Sequence, residues 1–164
     1  MRFLVIPTFA AAVSLVAMVV TAAGATQEIK LWPNGAPGPK NGSGPEVNTT
    51  KPSDNEVAGK PVIRTGNVTD PVLTLYPAPA GKNTGVAVVV FPGGGYRILA
   101  LDLEGTEVCD WLNSIGVNAI LVKYRVPEAE GTPRFQAPLQ DAQRALGLVR
   151  LHAKDWNVDP NRVG

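Results

Sequence analysis

The run Val86-Ala87-Val88-Val89-Val90-Phe91 is apolar throughout and is bounded by Gly85 and Pro92. As a strand it has no polar face to turn to water, so it must be covered on both sides, as in a parallel sheet layered with helices. The residues that follow supply those layers. Leu101, Gly105, Val108, Leu112 and Ile115 recur in steps of four and three, which predicts a helix ended by Gly116. Val117-Asn118-Ala119-Ile120-Leu121-Val122 is a second mostly apolar run, and Pro138 opens a second helix with Leu139, Ala142, Leu146, Val149 and Ala153 on one stripe. Turn chemistry from Trp156 to Arg162 leads to Val163-Gly164, which reads as the start of a third strand. This is a right-handed parallel βαβα unit, and the fold class is α/β.

Upstream, Val62-Ile63-Arg64 and Val72-Leu73-Thr74-Leu75-Tyr76 read as an antiparallel strand pair joined through Gly66-Asn67 and Asp70-Pro71. Between Trp32 and Pro61 the turn formers are too dense for a helix, and an irregular strap is expected. The 17 glycines and 15 prolines of the 164 residues follow no three-residue period, so they mark ordered loops and exclude collagen. A hydrophobic share of 45% places the chain among globular domains, and one domain is the most that this length supports. A net charge of +1 gives no basic surface for nucleic acid or anionic membranes, and neither is expected as a partner. The single Cys excludes an internal disulfide and a multi-cysteine zinc site.

The amino terminus stands apart from the fold. Arg2 precedes an almost wholly apolar stretch from Phe3 to Val20, and Ala23-Gly24-Ala25 is a small-residue cleavage site followed by polar Thr26-Gln27-Glu28. The expected organisation is a signal peptide over 1–25, a Pro/Gly-rich strap over 26–61 and an α/β domain over 62–164. A cleaved chain would be secreted or periplasmic, with no stable membrane partner; an uncleaved anchor is the alternative reading. Sequons at Asn41, Asn48 and Asn67 would accept glycans in a eukaryotic secretory route.

The segment that carries chemistry is Phe91-Pro92-Gly93-Gly94-Gly95-Tyr96, at the carboxyl end of the first buried run and ahead of the helix, where open parallel sheets place their ligands. Three glycines permit positive φ and close approach to backbone N–H donors, as an anion cradle or oxyanion hole requires. A nucleotide loop does not fit. G-x-G-x-x-G from Gly93 would need glycine where Ile98 stands, and no Gly-Lys-Ser/Thr follows. A turn needed only for tight strand-to-helix geometry is the competing explanation.

Together, the P-G-G-G-Y loop, Leu103-Glu104-Gly105, Trp111-Leu112-Asn113-Ser114, Leu121-Val122-Lys123-Tyr124-Arg125-Val126-Pro127 and Pro138-Leu139-Gln140-Asp141-Ala142-Gln143-Arg144-Ala145 resemble the carboxylesterase side of the α/β-hydrolase superfamily, specifically secreted acetylxylan-esterase-like proteins. The likeness runs from about Leu31 to Gly164. It implies a partial α/β-hydrolase fold in which N–H groups of Gly94 and Gly95 belong to the oxyanion hole, with Tyr96 as a substitute donor or as lining of the acyl pocket. It implies a small ester or acetylated carbohydrate substrate and no cofactor. It also implies that the nucleophile elbow G-x-S-x-G follows Asp159-Pro160-Asn161-Arg162-Val163-Gly164. Lipase-like branches carry His ahead of the glycines, where this chain has Pro92.

No serine here is flanked by glycine two residues before and two after: Ser14, Ser43, Ser53 and Ser114 all fail that test. His152 precedes the third strand, whereas the fold's triad places histidine last, so it reads as a partly exposed helix residue. Cys109 reads as a buried small side chain, and Arg125 with Asp141 as a structural ion pair or a substrate contact. Two functions from different classes follow: a serine ester hydrolase whose triad this chain lacks, or a non-catalytic binding module using the glycine loop. A glycoside hydrolase would need a pair of facing carboxylates, and Asp102 and Glu104 are expected on different sides of a helix. Amino-terminal sequencing of exported protein is expected to start at Thr26; a Met1 start in the membrane fraction would contradict the signal peptide.

Overall fold

A computed structural model describes residues Thr26–Gly164, so the signal-peptide expectation lies outside the described residues. The elements in chain order are β1 (Gln27–Lys30), β2 (Val47–Asn48), β3 (Arg64–Gly66), β4 (Val72–Tyr76), β5 (Ala87–Val90), β6 (Leu99–Ala100), a π-helical turn (Asp102–Thr106) running into α1 (Glu107–Ser114), β7 (Asn118–Lys123) and α2 (Gln136–Leu151). The main sheet has the order β1-β4-β7-β5, and β2-β3-β6 form a small second sheet. β5 and β7 are parallel, while β4 runs antiparallel to both β1 and β7.

The two apolar runs behave as their composition requires. Side chains alternate across a strand, so β7 sends Ala119 and Leu121 to one face and Ile120 and Val122 to the other. On the first face they meet Val90, Cys109 and Leu112, the last two from α1. On the second they meet Leu73, Leu75, Val89 and the α2 residues Ala145, Leu148 and Val149. Each valine, leucine or isoleucine among them taken fully out of water contributes about 1.5–3 kcal/mol, and this two-sided core is the main source of stability.

Val163 pairs in parallel with Ala87, and the Gly164 N–H donates to the Ala87 carbonyl at 3.0 Å, so the expected third strand does begin there. It lies on the edge of β5 opposite β7. The chain therefore goes from β5 to β7 across one face and returns over the other face past β5. That reversal of strand order sits at β5, and the glycine loop is at its carboxyl end.

Three expectations need correction. The segment 62–64 and β4 are not partners: β3 pairs with β2 and β6, and β4 is inserted between β1 and β7. Val72, Leu73 and Leu75 are buried and suit an interior strand, whereas Ile63 is 44% exposed and suits a small outer sheet. The strap also begins with a strand, since Gln27–Lys30 forms an edge with only Ile29 apolar; charged, short edges resist unwanted pairing. Finally, α2 buries Pro138, Asp141, Ala145, Leu148 and Val149, a stripe rotated by one residue from the expected one, and leaves Leu139 51% exposed.

Asp141 explains the rotation. Its carboxylate is fully buried and pairs with Arg125, itself 2% exposed, at 2.9 Å. It also accepts the Arg125 backbone N–H at 2.9 Å and the Trp32 indole N–H at 2.7 Å. The guanidinium donates onward to the carbonyls of Pro37 and Ala137 and to Gln140. The pair is thus structural: it ties strap, β7 end and α2 together. Arg144 adds a bond to the Leu31 carbonyl and lies over the Trp32 ring, 5.4 Å from its centroid. Asn41 is buried and donates to the Pro127 carbonyl at 2.7 Å, so the folded chain withholds the first of the three sequons from glycan attachment.

Asp141→Ala is expected to lower unfolding free energy by about 3–5 kcal/mol in urea denaturation, because it strands a buried guanidinium. An effect below about 1 kcal/mol would show the pair to be dispensable.

Candidate active site

The segment Phe91–Tyr96 leaves the carboxyl end of β5 at the reversal of strand order, and its backbone is held bond by bond. At the Pro92–Gly93 peptide, the Tyr124 hydroxyl donates to the Pro92 carbonyl at 2.6 Å, and the Gly93 N–H donates to Glu104 Oε2 at 2.8 Å. The Gly93 carbonyl accepts the Ala100 N–H at 2.9 Å, and the Gly94 carbonyl accepts the Arg97 and Ile98 N–H groups at 3.1 and 3.4 Å. N–H and C=O point in opposite directions across a trans peptide. With the Gly93 and Gly94 carbonyls turned into the loop, the N–H groups of Gly94 and Gly95 face out of it. These two, and the N–H of Tyr96, have no partner among the described residues.

The glycines answer separate needs. Gly94 has φ +148°, and a Cβ there would overlap the Ile98 carbonyl. At Gly93 a Cβ would overlap the Glu104 carboxylate, whereas at Gly95, φ +62°, it would meet open space. Tyr96 also has positive φ, at 60°, a left-handed conformation that is uncommon for a bulky residue. That conformation delivers its ring to an adjoining cleft.

The cleft measures about 270 Å³ and is lined by Phe91, Tyr96, Tyr124, Phe135, Pro138, Leu139 and Ala142. Its walls are aromatic and aliphatic, with the Phe91 and Tyr124 rings tilted at 51° and 6.3 Å apart. Burial pushes the Tyr124 phenol up to about 12, with Tyr96 and Glu104 nearby acting in the same direction. It therefore remains a neutral donor to Pro92 at physiological pH. Sequence reasoning missed Phe135 and Leu139. The available signal was a leucine beside the buried Asp141–Ala145 stripe, stranded on the outer side of the helix.

The other candidates lie elsewhere. Asp102 accepts the N–H groups of Ile63 and Leu103, and Glu104 that of Gly93, so the two carboxylates serve separate backbone contacts and do not face each other as a pair. Ser114 donates to the Trp111 carbonyl in the last turn of α1. His152 stacks on Trp156 at the end of α2, which runs back from the loop end of the sheet to its opposite end, away from the glycine loop. Cys109 is buried, and burial, with Asp110 adding to it, pushes its thiol up to about 12, which suppresses the nucleophilic thiolate.

No family model matches the chain. An acetylxylan esterase of Xylanibacter ruminicola is 41% identical over 81 residues, covering 49% of this chain and 16% of that protein. The crystal structure of an acetyl ester-xyloside bifunctional hydrolase from Caldicellulosiruptor lactoaceticus superposes with TM-score 0.52 and 44% identity, covering 60% of this chain and 34% of that one. The chain is similar to esterases of the α/β-hydrolase group and carries a partial α/β-hydrolase fold. A weaker likeness, 29% over 76 residues, joins 46% of this chain to 12% of endo-1,4-beta-xylanase B of Butyrivibrio fibrisolvens. The chain thus spans well under two thirds of the length of the proteins it matches.

In an α/β-hydrolase the loop after the strand corresponding to β5 lends an N–H to the oxyanion hole, and the second donor follows the nucleophile. The glycine loop here likewise follows a parallel strand and precedes a helix. Gly94→Ala is expected to lower the thermal midpoint more than Gly95→Ala. The latter meets only the left-handed backbone penalty of about 1–2 kcal/mol, while the former adds an overlap with backbone. Equal midpoints would contradict the loop geometry.

Proposed function

We propose that this chain supplies the oxyanion-hole loop of a serine carboxylic-ester hydrolase that acts on small esters or acetylated carbohydrate outside the cytoplasm. The observation that carries this reading is the direction of two amides. The N–H groups of Gly94 and Gly95 face out of a loop whose carbonyls are internally bonded, at the carboxyl end of β5 and beside an apolar cleft.

In such a reaction a serine oxygen attacks the ester carbonyl, and negative charge gathers on the carbonyl oxygen. Amides fixed beforehand stabilise that charge without reorganising, and each such donor is worth on the order of 10²–10³ in rate. Gly94 and Gly95 take this role, with Tyr96 at the cleft wall and its N–H as a substitute donor. Phe91, Phe135 and Leu139 hold the non-reacting part of the ester away from water. The names of two relatives, acetylxylan esterase and acetyl ester-xyloside bifunctional hydrolase, support an acetylated saccharide as substrate.

The nucleophile comes from residues after Gly164. The strand begun at Val163 lies beside β5, so a sharp turn at its end would bring a serine to these amides. The experiment is to read the coding sequence past codon 164 and assay the whole encoded protein on p-nitrophenyl acetate and acetylated xylan. A serine within G-x-S-x-G is expected roughly four to eight residues on, with an aspartate and then a histidine later. The whole protein should release acetate, and residues 1–164 alone should be inactive. A reading frame without that serine would overturn the proposal and favour a binding module that uses the loop as an anion or carbohydrate cradle.

A further inference from the structure

Glu104 takes no part in the chemistry outlined above, yet it makes a bond that decides the loop's geometry. It is exposed, and its Oε2 accepts the Gly93 N–H at 2.8 Å. The carbonyl on the other side of that same peptide, Pro92 C=O, is held by the Tyr124 hydroxyl at 2.6 Å. One peptide plane is therefore gripped at both ends by side chains from two different elements, the π-helical turn before α1 and the end of β7. A Cβ on Gly93 would overlap the Glu104 carboxylate in this position and displace it.

We propose that Glu104 and Tyr124 are positioning residues that set which amides of the loop face the substrate; this rests on the ester-hydrolase reading. A free Gly93 N–H would compete for the same anion as its neighbours. By accepting it, Glu104 removes Gly93 from the donor set. By donating to Pro92, Tyr124 blocks the peptide rotation that would return it. The next two peptides are then bound through their carbonyls to Ala100, Arg97 and Ile98, and the outward donors become Gly94 and Gly95. A carboxylate so close to a developing oxyanion would repel it if aimed at the site. Its engagement with Gly93 directs that charge at the loop backbone instead.

The test uses Glu104→Ala, Glu104→Gln and Tyr124→Phe in the whole encoded protein, with two readouts. The first is kcat and KM on p-nitrophenyl acetate. Glu104→Ala should lower kcat on the order of 10-fold to 100-fold, the scale of small misplacements of catalytic groups, with KM within about twofold. Glu104→Gln keeps an acceptor oxygen for Gly93 and should restore kcat to within about threefold of the parent. The second readout is amide hydrogen exchange by NMR. The Gly93 N–H should be protected in the parent and in Glu104→Gln, and exchange about tenfold faster or more in Glu104→Ala. Tyr124→Phe should speed the same amide through loss of the opposite grip, which gives a second variant should the first not fold. The proposal is overturned if Glu104→Ala keeps kcat within about twofold of the parent, or if Gly93 exchange is the same in all four proteins. A parent without esterase activity would count against the ester-hydrolase reading alone, and Gly93 exchange would still decide whether the grip exists.

Discussion

A single buried ion pair organises the end of the molecule at which the glycine loop lies. Arg125 follows β7 and Asp141 lies in the second turn of α2, and neither side chain has appreciable contact with water. Removing two charges from water is costly, and the pair is tolerable only because its remaining donors and acceptors are satisfied. They are satisfied by the strap, through Trp32 and Pro37, and by the helix itself, through Ala137 and Gln140. That completeness fixes the rotation of α2 about its own axis. The rotation in turn decides that Leu139 faces the cleft and that Ala145 and Leu148 face the sheet.

The parts of the fold that were legible in the sequence are those encoded by local periodicity. The βαβα unit could be read because strands buried on both faces and helices with one apolar stripe look different over a few residues. Even the short parallel pairing at Val163 was foreseeable from the turn around Asp159-Pro160. What local pattern cannot encode is partnership. β4 has the right composition for a strand but carries no mark that its neighbours are β1 and β7 and not the segment just before it. The helix face was misread because hydropathy places a carboxylate outside, and Asp141 is inside by virtue of an arginine sixteen residues away.

The candidate site divides in the same way. Three consecutive glycines announce a backbone device, and Gly94, Gly95 and Tyr96 could be singled out on that ground. The devices that orient it could not. Glu104 and Tyr124 reach the Pro92–Gly93 peptide from eleven and thirty-two residues away, and in sequence one resembled half of a carboxylate pair and the other part of a strand end. The physical content of the site is therefore carried as much by ordinary residues that grip a peptide plane as by the glycines that permit it.

The strap meets two arginines of the domain through its own carbonyl oxygens, Leu31 to Arg144 and Pro37 to Arg125. Every amino acid supplies that oxygen. The recognition is thus written into the receiving arginines, while the strap needs its particular side chains at few places, chiefly Leu31, Trp32 and Asn41. A stretch anchored in this manner can exchange most of its residues and keep its course, so two related chains could differ widely across 33–40 and still wrap the same end of the sheet.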